Sequence, residues 1–193
     1  MDEKERPRIL FLANVPSPYR VAFFDELSAS CDLTVLYQLH ASAERDKQWA
    51  APQRGQYQAV FLRGHSTDVD KAICPGVLSW LTREWDAIII CGNSSPTELM
   101  AIFWCKLRHI PYCLEADGAF VKKGGGAKEW LKRRSIRGAA LYFSTCRELD
   151  HYYLHYGAEA GSIRRYHFSS LQKRDILPAP ISREEKTQCR KKL

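Results

Sequence analysis

Blocks of consecutive apolar residues recur along the chain and alternate with stretches whose apolar positions fall three and four apart. "RILFLA" (Arg8 to Ala13) is a continuous apolar block, and Val21, Phe24 and Leu27 follow it at helical spacing, so a strand leads into a helix. "DLTVLYQ" (Asp32 to Gln38) and "YQAVFLR" (Tyr57 to Arg63) predict a second and a third strand. The polar "HASAERDKQWAAPQRG" between them has no period and reads as a functional or flexible loop. A helix over Gly76 to Trp85 precedes a fourth strand, "DAIII" (Asp86 to Ile90).

The strongest helix spans Pro96 to His109, with Leu99, Ile102, Phe103 and Leu107 on one face and Met100 and Trp104 beside them, and should be buried on two sides. "PYCLEA" (Pro111 to Ala116), "ALYFS" (Ala140 to Ser144) and "SIRRYHF" (Ser162 to Phe168) complete about seven strands. Strands that are apolar throughout, each followed by a helix, predict an α/β fold: a three-layer, Rossmann-like, doubly wound parallel sheet. "ILPAPIS" reads as a linker. The capping box of Ser182 with Glu185 then starts a new helix, so residues 1–176 form one domain and 177–193 the linker and first helix of another.

Composition narrows the class. The formal charge of +7 points to an acidic ligand or surface. The seven cysteines form no C-x-x-C pair, and Cys91 and Cys113 sit inside apolar runs, which reads as buried hydrophobes in a reducing cytosol. "MDEKERP" is no signal sequence, and no apolar run approaches the roughly 20 residues of a membrane span, so a cytoplasmic, soluble or peripheral protein is expected. His151 and His155 lie four apart without a third ligand, and packing against the neighbouring tyrosines is expected rather than a metal.

In a doubly wound sheet, ligands gather beyond the carboxyl ends of the strands, where the order reverses. Ser17 with Pro18, and Ser95 with Pro96 and Glu98, suit the N-termini of two helices that would open onto that crevice. Helix N-termini suit phosphate or carboxylate, although Ser-Pro is also ordinary capping grammar. The first strand lacks G-x-G-x-x-G and Pro16 blocks a pyrophosphate there, which argues against a dinucleotide enzyme. "GGGAKE" lacks the Gly-Lys-Ser/Thr ending of a Walker loop.

"RILFLANVPSPYRVAFFDELSASCDLTVLY", "ERDKQW", "GNSSPTELMAI", "LEADGAFVKK" and "YHFSSLQKRDIL" together resemble the N-terminal domain of bacterial family 4 (group 1) glycosyltransferases, enzymes of the two-domain GT-B architecture. The resemblance covers most of the chain. It implies one half of a GT-B fold that binds a glycan or lipid-linked acceptor. A C-terminal domain would hold a nucleotide-sugar donor, with retaining transfer in the cleft and neither metal nor cofactor. The family's paired glutamates seven residues apart, which belong to that second domain, have no counterpart here. Turnover is therefore expected only with a C-terminal donor domain.

By resemblance, Asn14, Pro16, Ser17 and Tyr19 lie against the donor phosphates and the acceptor. Arg20 either reaches an anion or covers its own helix. Asn93, Ser94 and Ser95 stand where many relatives place a histidine that contacts the donor sugar. Asp117, followed by Gly118 and preceded by Glu115, is a candidate catalytic carboxylate, well placed for sugar hydroxyls, though Asp-Gly is also turn chemistry. Glu44, Arg45, Asp46 and Trp49 either cover an acceptor, the indole stacking on a sugar ring, or form a self-paired surface cluster.

Lys122, Lys123, Lys128, Lys132, Arg133, Arg134 and Arg137 carry a single acid among them, Glu129, and interleave with Trp130, Leu131 and Ile136. They form either a basic amphipathic helix for an anionic membrane surface or a solvated helix face. Two classes of function follow. One is the acceptor half of a glycosyltransferase in polysaccharide or glycolipid biosynthesis. The other is a non-catalytic module that recruits a separate donor-binding chain or an anionic membrane. No nucleic-acid reading motif is present.

Overall fold

A computed structural model describes residues 6–40, 56–121, 124–167, 176 and 179–191. Seven parallel strands form one sheet: β1 (Arg8–Ala13), β2 (Asp32–Tyr37), β3 (Gln58–Phe61), β6 (Ala87–Cys91), β7 (Cys113–Glu115), β8 (Leu141–Ser144) and β9 (Ile163–Arg165). Their spatial order is β3-β2-β1-β6-β7-β8-β9. The chain builds outward from β1 in one direction, returns to β6 beside it, and continues the other way. The order therefore reverses between β1 and β6, which opens a crevice at their carboxyl ends.

Side-chain alternation explains why the strands are apolar throughout. Leu10 and Leu12 of β1 and Ile88 and Ile90 of β6 belong to one core cluster, whereas Phe11, Ala13 and Ile89 belong to the other. Successive residues of a strand face opposite sides, so a sheet covered on both faces needs apolar residues at every position. Val21 and Phe24 of α1 (Pro18–Ser28) cover one face. α2 (Val77–Leu81), α3 (Pro96–Leu107), Ile136 of α4 (Ala127–Ile136) and α5 (Arg147–His155) cover the other. A residue such as Leu12 or Ile102, fully buried in these layers, contributes roughly 1.5–3 kcal/mol of burial energy.

Three elements depart from the sequence expectation. The helix expected over Gly76 to Trp85 is the single turn and a half of α2. The long α3 stops at Leu107, and His109 turns the chain at φ 54. A two-stranded antiparallel hairpin, β4 (His65–Asp68) and β5 (Lys71–Ile73), lies between β3 and α2 and had no counterpart in the hydrophobic pattern. It is seated by Thr97, whose hydroxyl donates to the Ala72 carbonyl at 2.6 Å and accepts from the Cys74 amide at 2.9 Å. Near Ser182, α6 (Arg183–Arg190) has the expected capping box, with Glu185 N 3.2 Å from Ser182 Oγ. Cys31, Cys74 and Cys105 are buried, while Cys189 on α6 is exposed. No described helix is long and apolar enough to cross a membrane.

Candidate functional site

The loops after β1, β6 and β7 converge on a cavity of about 790 Å³ at the carboxyl edge of the sheet. The β1 loop and first turn of α1 contribute Asn14, Ser17, Tyr19 and Arg20; the β6 loop contributes Gly92, Asn93 and Ser94. Glu115, Asp117, Gly118 and Phe120 follow β7, and Lys128, Leu131 and Lys132 come from one face of α4. Pro16 is buried behind the first group and Ser95 behind the second, so neither lines the cavity. Arg45, Asp46 and Trp49, with Glu44, lie outside the described residues, as do Lys122 and Lys123.

The two Ser-Pro turns prove unlike. Ser95 makes a complete capping box: its Oγ accepts from Glu98 N at 3.1 Å, and Glu98 Oε2 accepts from the amides of Ser95 at 3.0 Å and Ser94 at 2.8 Å. Gln38 Nε2 donates to Glu98 Oε1 at 3.1 Å. Burial pushes the Glu98 carboxyl above the ordinary glutamate range, and these bonds pull it part of the way back. The N-terminus of α3 thus holds an anion already, its own Glu98, and the electropositive end expected there is neutralised from within.

Gly92, at φ 111, allows this, because a Cβ on it would stand 2.9 Å from Glu98 Oε2. Ser17 occupies the N-cap of α1 but makes no side-chain cap bond, contrary to the expectation. The two turns also differ at the third helical position: Glu98 in α3 returns a bond to its N-cap amide, whereas Arg20 in α1 has no carboxylate with which to do so. With no acid in its first turn, α1 keeps its positive end toward the cavity.

Arg20 neither lies along its helix nor extends to solvent. Its Nη2 donates to Glu115 Oε1 and Oε2 at 3.0 and 2.8 Å, with both side chains buried, and stands 3.7 Å from Asp117 Oδ2. The Tyr166 hydroxyl also donates to Glu115 Oε1. Burial and then the Glu115 carboxylate push the Tyr166 phenol above its usual value, so it remains a donor. Glu115, expected to take sugar hydroxyls, is thus engaged by protein groups. Asp117, two residues on, is more exposed and accepts a long bond from Tyr19 Oη at 3.3 Å.

The basic segment expected to form one face divides into three. Lys128 and Lys132 border the cavity, and Lys132 Nζ lies 5.5 Å from the centre of the Tyr156 ring. Arg133 pairs with Glu129 on its own helix at 3.8 Å and faces α5, donating to the His155 carbonyl at 2.9 Å. Arg134 and Arg137 border a different cavity at the opposite edge of the sheet. A helix docked through α5 presents its cations around its circumference, which the sequence period could not reveal. His155 packs edge-on against Tyr156, with ring centroids 4.8 Å apart. Sequence reasoning also missed Asp70 of the hairpin turn, Lys71 at the start of β5, and Tyr152 and Tyr153 of α5, all of which line the main cavity. The tyrosines stand in "HYYLHY", where their spacing could have placed them on the inner face of a helix.

No family model matches this sequence, and no curated protein does. Solved structures resemble it in fold. Anabaena HepE in complex with UDP and glucose superposes with a TM-score of 0.58 at 11% identity, over 84% of this chain and 44% of that one. UDP-N-acetylglucosamine 2-epimerase from Rickettsia bellii gives 0.54 at 9%, over 85% and 45%. The UDP-GlcNAc 2-epimerase from Methanocaldococcus jannaschii gives 0.51 at 11%, over 81% and 44%. The fold is a Rossmann-like half of the GT-B architecture. The chain spans less than half the length of these proteins.

Proposed function

We propose that this chain is the acceptor-binding half of a nucleotide-sugar-dependent glycosyltransferase. The observation that carries the reading is the convergence of the β1, β6 and β7 loops on one cavity, with the exposed Asp117 carboxylate between Tyr19 and Arg20. The structural neighbours that hold UDP, UDP-glucose or act on UDP-GlcNAc support nucleotide-sugar chemistry in this fold.

In this reading Asp117 accepts a hydrogen bond from the acceptor hydroxyl and orients it toward the donor. Arg20, held rigid by Glu115, sets the position of Asp117. Asn93 and Ser94 offer neutral donors and acceptors to a sugar, since the charge behind them is cancelled by Glu98. The positive end of α1 eases the charge that develops on the diphosphate leaving group. A donor-binding domain supplies the rest of the donor site.

The test combines the chain with a donor-binding domain, tethered or separate, and offers UDP-, GDP- and ADP-sugars with a lipid-linked oligosaccharide. Transfer that Asp117→Asn lowers by about 10²-fold or more, without loss of stability, supports the reading. Interconversion of UDP-GlcNAc epimers without transfer replaces it with an epimerase half. Acceptor binding without turnover of any donor replaces it with a binding module.

A further inference from the structure

The ends of α3 and α4 that point away from the main cavity meet at another, of about 560 Å³. Pro111 and Tyr112, which lead into β7, and Gly138 and Ala140, which lead into β8, form part of its wall, so it lies at the amino edge of the sheet. Lys106 and His109 line it from the end of α3, Arg134 and Arg137 from the end of α4, and among the described residues no acidic one lines it. Among the described residues, no carboxylate pairs with any of these four.

One of the four has a structural task. Lys106 Nζ donates to the carbonyls of Arg134 and of Arg137, the latter at 2.7 Å, and so closes the C-terminus of α4, whose negative end favours a cation. That accounts for Lys106 and leaves the other three unexplained. Burial first, and the neighbouring Arg134 charge second, lower Lys106 to about 8. His109 holds its place at the cavity in the left-handed region, φ 54, where a helix end usually has glycine.

We propose that this cavity is a phosphate-binding site, separate from the cleft, in which the guanidinium forks of Arg134 and Arg137 grip the phosphate and Lys106 and His109 complete its shell. Planar guanidinium groups match phosphate oxygens in pairs, which a lone ammonium does not. The phosphate belongs to a soluble molecule or to a phospholipid headgroup. The exposed side chains of Leu107, next to Lys106, and Trp130, one helical turn ahead of Arg134, flank the basic residues in sequence. The inference does not depend on the glycosyltransferase reading, because no residue is shared between the two cavities.

The experiment uses the whole chain and two probes. Inorganic phosphate is titrated against chloride at constant ionic strength, followed by amide chemical shifts. Vesicles of phosphatidylcholine, with and without phosphatidylglycerol, are tested by co-sedimentation. The variants are Arg134→Gln with Arg137→Gln, and, to remove the same charge elsewhere, Arg147→Gln with Arg183→Gln. Phosphate binding that falls about tenfold or more for each guanidinium lost, in the first pair alone, establishes a site for soluble phosphate. Capture by phosphatidylglycerol vesicles alone, lost only in the first pair, establishes a headgroup site. Binding of neither probe, or equal losses in both pairs, overturns the proposal. Should the first pair fail to fold, Arg134→Lys with Arg137→Lys keeps the charge and removes the forks. A several-fold loss then supports the site, and no loss overturns it.

Discussion

Arg20 and Glu115 are 95 positions apart in the chain, yet one guanidinium nitrogen of Arg20 lies 3.0 and 2.8 Å from the two oxygens of Glu115. The pair ties the first turn of α1 to the end of β7 across the floor of the main cavity. With 9% and 3% of the side chains exposed, it is a buried ion pair, in which removal of one partner strands the other's charge. Arg20→Met should cost about 3–5 kcal/mol in urea unfolding, and Arg20→Met with Glu115→Met should recover most of that loss. A double variant no more stable than the single one would show that the pair stabilises by more than mutual neutralisation.

Two glycines at the rim should respond unequally. Gly92→Ala places a methyl group 2.9 Å from Glu98 Oε2 at φ 111, and thermal unfolding should report a loss of about 1–3 kcal/mol. A Cβ on Gly118 meets nothing within 4 Å, so Gly118→Ala should stay within about 0.5 kcal/mol of the parent.

Glu98→Ala removes the anion that α3 supplies to its own N-terminus. The amides of Ser94 and Ser95 and the side chain of Gln38 lose their acceptor, a cost of about 1–3 kcal/mol by denaturant titration. The vacated end becomes an anion site, so sulfate should stabilise this variant more than it stabilises the parent. Equal sulfate effects in the two proteins would contradict the assignment of Glu98 as the resident counter-charge.

Lys106 supplies a pH dependence with a definite sign. Its ammonium is lowered from 10.5 to about 8 in the folded protein, by burial first and by Arg134 second. Between those values the unfolded chain binds more protons than the folded one, so stability attributable to Lys106 rises with pH. Below about pH 8 both states are charged and the folded protein carries the full penalty. Relative to Lys106→Met, the parent should gain in unfolding temperature from pH 7.5 to 9.5. The comparison stops short of the ordinary tyrosine range, because the nearby Tyr112 phenol is pushed up by burial and acts with the opposite sign.

The sheet was legible because its signal is local. "RILFLA" is β1 to the residue, all seven strand blocks lie in the sheet, "DAIII" is shifted one residue on to end at Cys91, and the other five are shortened at their ends where pairing with neighbours stops. The hairpin was not legible: His65–Asp68 is exposed at every position, so no apolar period marks it, and Thr97 seats it from a distant helix. At the site, the sequence indicated which loops matter but not how their charges are spent. Ser17 and Ser95 look alike in the chain. What separates them is Arg20 against Glu98 three residues on, one reaching across to another strand and the other folding back on its own helix. Nor could the spacing of cations in α4 show that Lys128 and Arg134 border cavities at opposite edges of the sheet.

The hairpin brings Asp70 of its turn and Lys71 of β5 to the main cavity, although β4 and β5 pair with each other and not with the seven-stranded sheet among the described residues. A change confined to the turn between β4 and β5 therefore leaves the pairing of β1, β6 and β7 undisturbed. The molecule thus builds part of its binding space on a unit outside the sheet and the rest on the strand ends.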